Sequence, residues 1–159
     1  MIELRTIRTL ADDELAPLVD ASTVEGFRFM MRLAAEWEGG VRYDGPGELL
    51  LGGYDGTRLV AVGGLTPDPY SADPAVGRLR RIYVLPEVRR RGIGRALVRA
   101  LEAEAARWYR ELVLRTDTDA AARFYGALGY ASRTEGGSAT HGRPLHGAAV
   151  TDTRTSGEE

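Results

Sequence analysis

The feature that most limits how this chain can fold is its middle, where residues 79–129 read as strand, helix, strand, helix. Leu79-Arg80-Arg81-Ile82-Tyr83-Val84 alternates like a strand and is closed by Pro86. The next segment places Ile93, Leu97, Leu101, Ala105 and Trp108 on one side of a helix and Arg95, Arg99 and Glu102 on the other, with Glu104 out of pattern. Leu112-Val113-Leu114-Arg115 is a short apolar strand, and Asp119 is the expected cap of a helix through Phe124, Tyr125 and Leu128 that stops at Gly129. Two strands joined by one helix must run parallel, with a right-handed crossover. Just upstream, residues 48–51 and 59–62 flank Tyr54-Asp55-Gly56-Thr57, the Asp-Gly chemistry of an antiparallel hairpin. A sheet that holds both pairings is mixed.

Before the hairpin, residues 3–8 alternate like a strand with one buried face, and Thr9 or Asp12 is placed to cap a helix ending near Val19. From residue 24 to 37, Phe27, Met30, Met31, Leu33, Ala34 and Trp37 form a helical apolar stripe that stops at Gly39-Gly40. Such a stripe packs into a core, with Phe27, Met30 and Met31 as the part that would line a substrate groove. After Tyr130 the pattern weakens to Gly, Thr and Ser, which predicts one or two late irregular strands. With 159 residues, 43% of them hydrophobic, the chain can bury roughly 70% of its unfolded surface in one domain. That domain is expected over residues 1–150, with 151–159 as a flexible acidic tail.

The residues that are missing narrow the chemistry. There is no cysteine, so thiolate nucleophiles, disulfides and cysteine-based zinc or iron-sulfur sites are excluded. Every basic residue is arginine, which removes Schiff-base chemistry and a P-loop lysine. The two histidines, His141 and His146, lie in a Gly-rich stretch, and no metal site is expected. The net charge of -2 offers no field to gather nucleic acid or an anionic membrane. No apolar run is long enough to span a bilayer and the start lacks a signal-peptide layout, so a cytoplasmic location is expected.

The most chemically specific segment is Val84-Leu85-Pro86-Glu87-Val88-Arg89-Arg90-Arg91-Gly92-Ile93-Gly94, a strand end that turns through three arginines into a helix. Amides in the first helical turn lack intrahelical partners, and the helix dipole adds partial positive charge, so the turn is an anion site. Gly92 and Gly94 keep side chains off those amides, and Arg89, Arg90 and Arg91 can supply charge-assisted hydrogen bonds. A dinucleotide fingerprint requires a small residue where Leu97 stands, and ATP binding by a P-loop requires lysine, so neither fits.

These residues resemble the GNAT superfamily of N-acetyltransferases. Arg89-Arg90-Arg91-Gly92-Ile93-Gly94 matches its Gln/Arg-x-x-Gly-x-Gly/Ala signature, and residues 79–86 look like the strand before it. Residues 121–130, Ala-Ala-Arg-Phe-Tyr-Gly-Ala-Leu-Gly-Tyr, look like its second conserved block. The resemblance implies an α/β fold of α+β type, with a mixed, mostly antiparallel sheet, a central parallel strand pair and helices on both faces. It implies acetyl-CoA as cosubstrate, its pyrophosphate on the amides from Arg89 to Gly94. Its pantetheine would lie along the backbone of Ile82, Tyr83 and Val84, with Thr118 and Phe124 as further cofactor contacts.

An amine acceptor must lose a proton, and the departing thiolate must gain one. By the same resemblance Tyr125 is the general acid, and an amide near Val84 polarises the thioester carbonyl. Two positions depart from the family: Arg78 stands where many relatives carry a glutamate that serves as base, and Thr118 where an asparagine often helps hold the cofactor. The base is therefore sought among Glu25, Asp68 and Asp55, with Glu25 ranked first, and His141 is a minor candidate contact. The expected partners are acetyl-CoA and an amine, not nucleic acid or membrane, for a monomer or homodimer. The competing expectations are a CoA-binding regulatory module without catalysis, or transfer of a larger acyl group.

Overall fold

A computed structural model of the protein describes residues 1–11, 13–133 and 137–145. Its elements are β1 (Ile2–Thr6), α1 (Ala16–Val24), α2 (Phe29–Glu38), β2 (Leu49–Asp55), β3 (Arg58–Pro67), β4 (Val76–Val84), a 3-10 turn (Pro86–Val88), α3 (Ile93–Ala105), β5 (Glu111–Leu114), α4 (Asp119–Ala127), β6 (Ala131–Ser132) and β7 (His141–Pro144). The strands form a seven-stranded sheet in the order β1-β2-β3-β4-β5-β7-β6. The expected mixed sheet is present: β4 and β5 are parallel, and the other neighbours are antiparallel. Asp12, residues 134–136, and residues 146–159 with His146 and the predicted tail lie outside the described residues.

Adjacent glycines in β3 mark the two layers, because successive strand residues face opposite sides. A side chain at Gly63 would press on Leu97 and Leu101 of α3, whereas one at Gly64 would meet the ring of Tyr43, in the segment that follows α2. α3 covers the first face through Ile93, Leu97, Val98, Leu101 and Ala105, all buried. On the second face Tyr83 of β4 meets the ring of Phe29 in α2 at 6.0 Å. Burying side chains of this size contributes roughly 1.5–3 kcal/mol each, so the central strands are anchored from both sides.

Several boundaries differ from the sequence expectation, each for a local reason. The helix predicted to end near Val19 runs on to Val24, and the one predicted over residues 24–37 begins only at Phe29. Gly26 takes φ +90°, and Gly26 N–H donates to Thr23 O while Phe27 N–H donates to Ser22 O, a Schellman stop that ends α1. Thr9 does not cap α1, which begins at Ala16 with proline in its first turn and no side-chain cap. The cap of α4 is Thr118 and not Asp119, with Thr118 Oγ1 accepting from Ala121 N–H at 3.1 Å. Trp108 was assigned to the buried side of α3, yet it lies past the helix end and is 46% exposed, donating from Nε1 to Glu104 Oε2 at 3.1 Å. That bond also accounts for Glu104, the residue out of pattern.

One irregularity reorients the side chains of β4. Gly64 pairs with Arg80 and Val62 with Tyr83, so Gly63 faces both Arg81 and Ile82 and β4 carries a bulge. Arg81 sits there at φ +60°. Its guanidinium is held by Glu36 of α2, with Nε–Oε1 at 3.2 Å and Nη2–Oε2 at 2.7 Å, which offsets a backbone cost of roughly 1–3 kcal/mol.

Candidate active site

The turn into α3 presents a run of unengaged donors. Ala96 N–H closes the first helical bond onto Gly92 O at 3.0 Å. Among the described residues the amides of Arg90, Arg91, Gly92, Ile93, Gly94 and Arg95 donate to no backbone acceptor, as helix geometry requires of a first turn. The two glycines serve different ends. Gly92 is the N-cap at φ +80°, a left-handed conformation that side chains disfavour, and a Cβ there would meet nothing within 4 Å. Gly94 is needed for closeness: a Cβ would lie 3.3 Å from the ring of Phe124. A depression of about 340 Å³ borders the turn, lined by Asp55, Arg91, Gly92 and Ile93 among others.

The strand leading to this turn opens on one edge. β4 and β5 pair from Val76–Glu111 to Arg78–Val113, and no further. The β5-side edge of Leu79 to Val84 therefore runs without a ladder partner, next to the free amides. The Val84 carbonyl accepts from Arg89 Nε at 2.9 Å. An extended chain with its own amide groups and a terminal phosphate ester fits this edge and turn, because each brings the hydrogen-bonding groups the other lacks.

Of the three arginines, Arg89 is drawn away from the turn. Its terminal nitrogens grip Glu25 at 2.7 and 2.8 Å, and Tyr83 Oη donates to the same carboxylate at 2.5 Å. The Arg89 bonds outweigh burial and hold Glu25 below its usual carboxylate range. Tyr83 is pushed up by burial and by its bond to Glu25. Arg90, at φ +67°, and Arg91 are exposed beside the amides. Glu25 caps the C-terminal end of α1, so this cluster ties the α1–α2 corner to the mouth of the turn.

Tyr125 of α4 is 7% exposed and packed edge-on between Phe124 at 4.9 Å and Tyr130 at 5.7 Å. Burial alone pushes its hydroxyl above the ordinary tyrosine value, so it holds its proton at neutral pH. Phe124 covers Gly94, which joins α4 to the start of α3. Thr118 Oγ1 accepts the α4 cap bond and keeps its hydroxyl hydrogen free to donate.

The remaining candidates are spread out. Asp68 is buried against Arg78, with Arg78 Nη1–Asp68 Oδ1 at 3.1 Å and the side chains 8% and 7% exposed. Asp55 is exposed where β2 enters the hairpin turn. His141 is buried in β7, its Nδ1 2.9 Å from Thr140 Oγ1. Sequence gave no sign of the Tyr83–Glu25 bond or the Arg81–Glu36 pair, whose partners lie 58 and 45 residues apart. Among the described residues no cluster of metal-ligating side chains occurs, and no helix is long and apolar enough to cross a membrane.

Residues 12–130 match the model of the acetyltransferase (GNAT) family. No curated protein matches the chain significantly. Among solved structures, a protein of Exiguobacterium sp. 255-15 assigned as an acetyltransferase superposes with a TM-score of 0.82 at 28% identity, covering 96% of this chain and 99% of its own. An acetyltransferase of Streptococcus agalactiae 2603 superposes at 0.72 with 16% identity, covering 91% and 98%. A phosphinothricin acetyltransferase of Sinorhizobium meliloti, solved in complex with acetyl-CoA, superposes at 0.68 with 16% identity, covering 91% and 88%.

Proposed function

The chain belongs to the GNAT family of acetyltransferases, and from that premise we propose that it acetylates a primary amine of a small molecule or peptide, using acetyl-CoA. The observation that carries this proposal is the run of unpartnered amides around the left-handed Gly92, set beside the unpaired edge of β4. The acetyl-CoA complex of the Sinorhizobium relative supports the choice of donor.

In this proposal the amides from Arg90 to Arg95, with Arg91 and Arg90 beside them, hold the pyrophosphate, and the edge from Ile82 to Val84 holds the pantetheine. Acetyl-CoA supplies an activated acyl group as a thioester. An alkyl amine with a pKa of about 10.4 must shed a proton before it can attack. Glu25, ionised at neutral pH like any carboxylate held at or below its ordinary value, is the proposed proton acceptor through water. Tyr125 keeps its proton until the carbon–sulfur bond breaks and then gives it to the sulfur, while a β4 amide near Val84 steadies the oxyanion.

A second possibility, a CoA-binding module without catalysis, rests on one observation: Arg78 occupies the family's base position and is locked to Asp68. Thiol release from acetyl-CoA over a panel of amines separates the two. Turnover with any amine supports the enzyme, and saturable acetyl-CoA binding with no turnover supports the module. No cysteine in the protein contributes background to that assay.

A further inference from the structure

The face of β4 that lies under α1 and α2 carries more positive charge than it neutralises. The bulge at Arg81 breaks the alternation of β4, so Arg80 and Arg81 both project to this face, joined by Arg78 two residues earlier. Three of the arginines around the cleft have a carboxylate of their own: Arg78 has Asp68, Arg81 has Glu36 and Arg89 has Glu25. Arg80 is half-buried and makes no ion pair or hydrogen bond among the described residues, and its Nε is shielded from solvent without any partner. It is near enough to Glu36 and Tyr43 to act on both electrostatically, yet Glu36 is spent on Arg81 and Tyr43.

A guanidinium taken partly out of water with no carboxylate bonded to it is costly, and a fold keeps it only where something else compensates. The backbone explains why it cannot simply turn away: Arg80 is fixed by its pairing to Gly64, one residue before the bulge. The planar fork of arginine matches a carboxylate with two parallel bonds, and a partly desolvated site strengthens them. From Arg80 to the thioester-binding edge at Ile82–Val84 is only two to four residues of strand, on the order of 10 Å, a span that the arginine side chain itself largely covers.

We propose that the amine acceptor carries a carboxylate, and that Arg80 binds it and so sets the acceptor's orientation against the β4 edge. This rests on the acetyltransferase activity proposed above and narrows it to amino-carboxylate acceptors. Arg80 is a specificity residue in this scheme and takes no part in proton transfer.

The test compares kcat/KM for matched amines of equal chain length: 3-aminopropanoate with propylamine, 4-aminobutanoate with butylamine, and 5-aminopentanoate with pentylamine. Wild type is expected to favour the carboxylate member of at least one pair by roughly tenfold or more. Arg80→Gln should shrink that gap to within about twofold, and Arg80→Lys, which keeps the charge but not the fork, should retain part of it. Equal values for every pair in wild type, or an unchanged gap in Arg80→Gln, would overturn the proposal. Thermal unfolding provides a readout independent of turnover, so that failure of the activity and failure of the carboxylate site are told apart. The amino-carboxylates should raise the melting temperature of wild type and not of Arg80→Gln; no rise in wild type counts against the site even if amines are acetylated. Arg80→Met should melt at or above wild type, since it removes an unpaired charge, and a drop of several degrees would show that Arg80 holds the fold together instead.

Discussion

The proposed cofactor site and the proposed acceptor site are built from different materials. Around the start of α3 the working groups are backbone: amides freed by helix geometry, a left-handed glycine, and a strand edge left open where β5 turns away. Beneath α1 and α2 the working groups are side chains: Asp68–Arg78, Glu36–Arg81 and Glu25–Arg89, drawn together from 10, 45 and 64 residues apart. Backbone donors serve any ligand that brings the same phosphate and amide groups. Side-chain pairs can be rearranged one substitution at a time, so the proposed acceptor site is the more easily altered of the two.

Substitutions should separate the two sides, beginning with the largest effect. Tyr125→Phe should reduce kcat by about 100- to 10,000-fold, the usual worth of a positioned general acid, while acetyl-CoA affinity stays within a factor of two or three. Steady-state kinetics with varied acetyl-CoA check this, and an unchanged kcat removes Tyr125 from the mechanism. Asp68→Ala leaves Arg78 buried without its carboxylate, though still bonded to Ser138 O, and should cost about 3 kcal/mol of stability in urea denaturation, again with little change in acetyl-CoA affinity. A loss of affinity as large as the loss of stability would mean that the two sides are not separable.

Smaller effects sharpen the boundary. Thr118→Ala removes the α4 cap and should cost about 1 kcal/mol, readable as a drop in melting temperature, because α4 carries Tyr125 but is anchored mainly by packing. The smallest effect is in pH. Glu25 is held below the ordinary glutamate value of 4.5, chiefly by its bonds to Arg89. A group depressed in the folded state contributes stability above its unfolded pKa and loses it as pH falls through the lower folded value. Wild type should therefore lose a few tenths of a kcal/mol more than Arg89→Ala between neutral pH and pH values below 4.5, since the pair is partly exposed. Parallel pH profiles would show that the pair does not stabilise the fold.

The same contrast governs how much the sequence disclosed. The middle of the fold was legible because its signals are local: the Asp-Gly hairpin, the period of α3 and the Gly92-Ile93-Gly94 turn all act within a few residues. The α1–α2 boundary falls later than the predicted end near Val19 and start at residue 24, because apolar spacing does not mark a helix stop; the hydrogen bonds around Gly26 do. Arg80 and Arg81 looked alike in the strand pattern. The bulge that turns both to one face comes from the register against β3, and Glu36 selects one of them from a distant helix. Glu25 was singled out from its place at a helix boundary, but its partners Tyr83 and Arg89 could not be inferred without the fold.

The most direct test of the backbone cofactor site is a calorimetric titration with acetyl-CoA, using wild type and Gly92→Asp, with NADH as an anionic control. A Cβ at Gly92 has open space around it and aspartate tolerates the left-handed conformation, so the variant should fold while placing a negative charge among the free amides. Saturable binding of acetyl-CoA but not NADH by wild type, weakened at least about 100-fold in the variant, is the predicted result. No binding by wild type, or equal binding by the variant, would contradict the assignment of this turn to the cofactor.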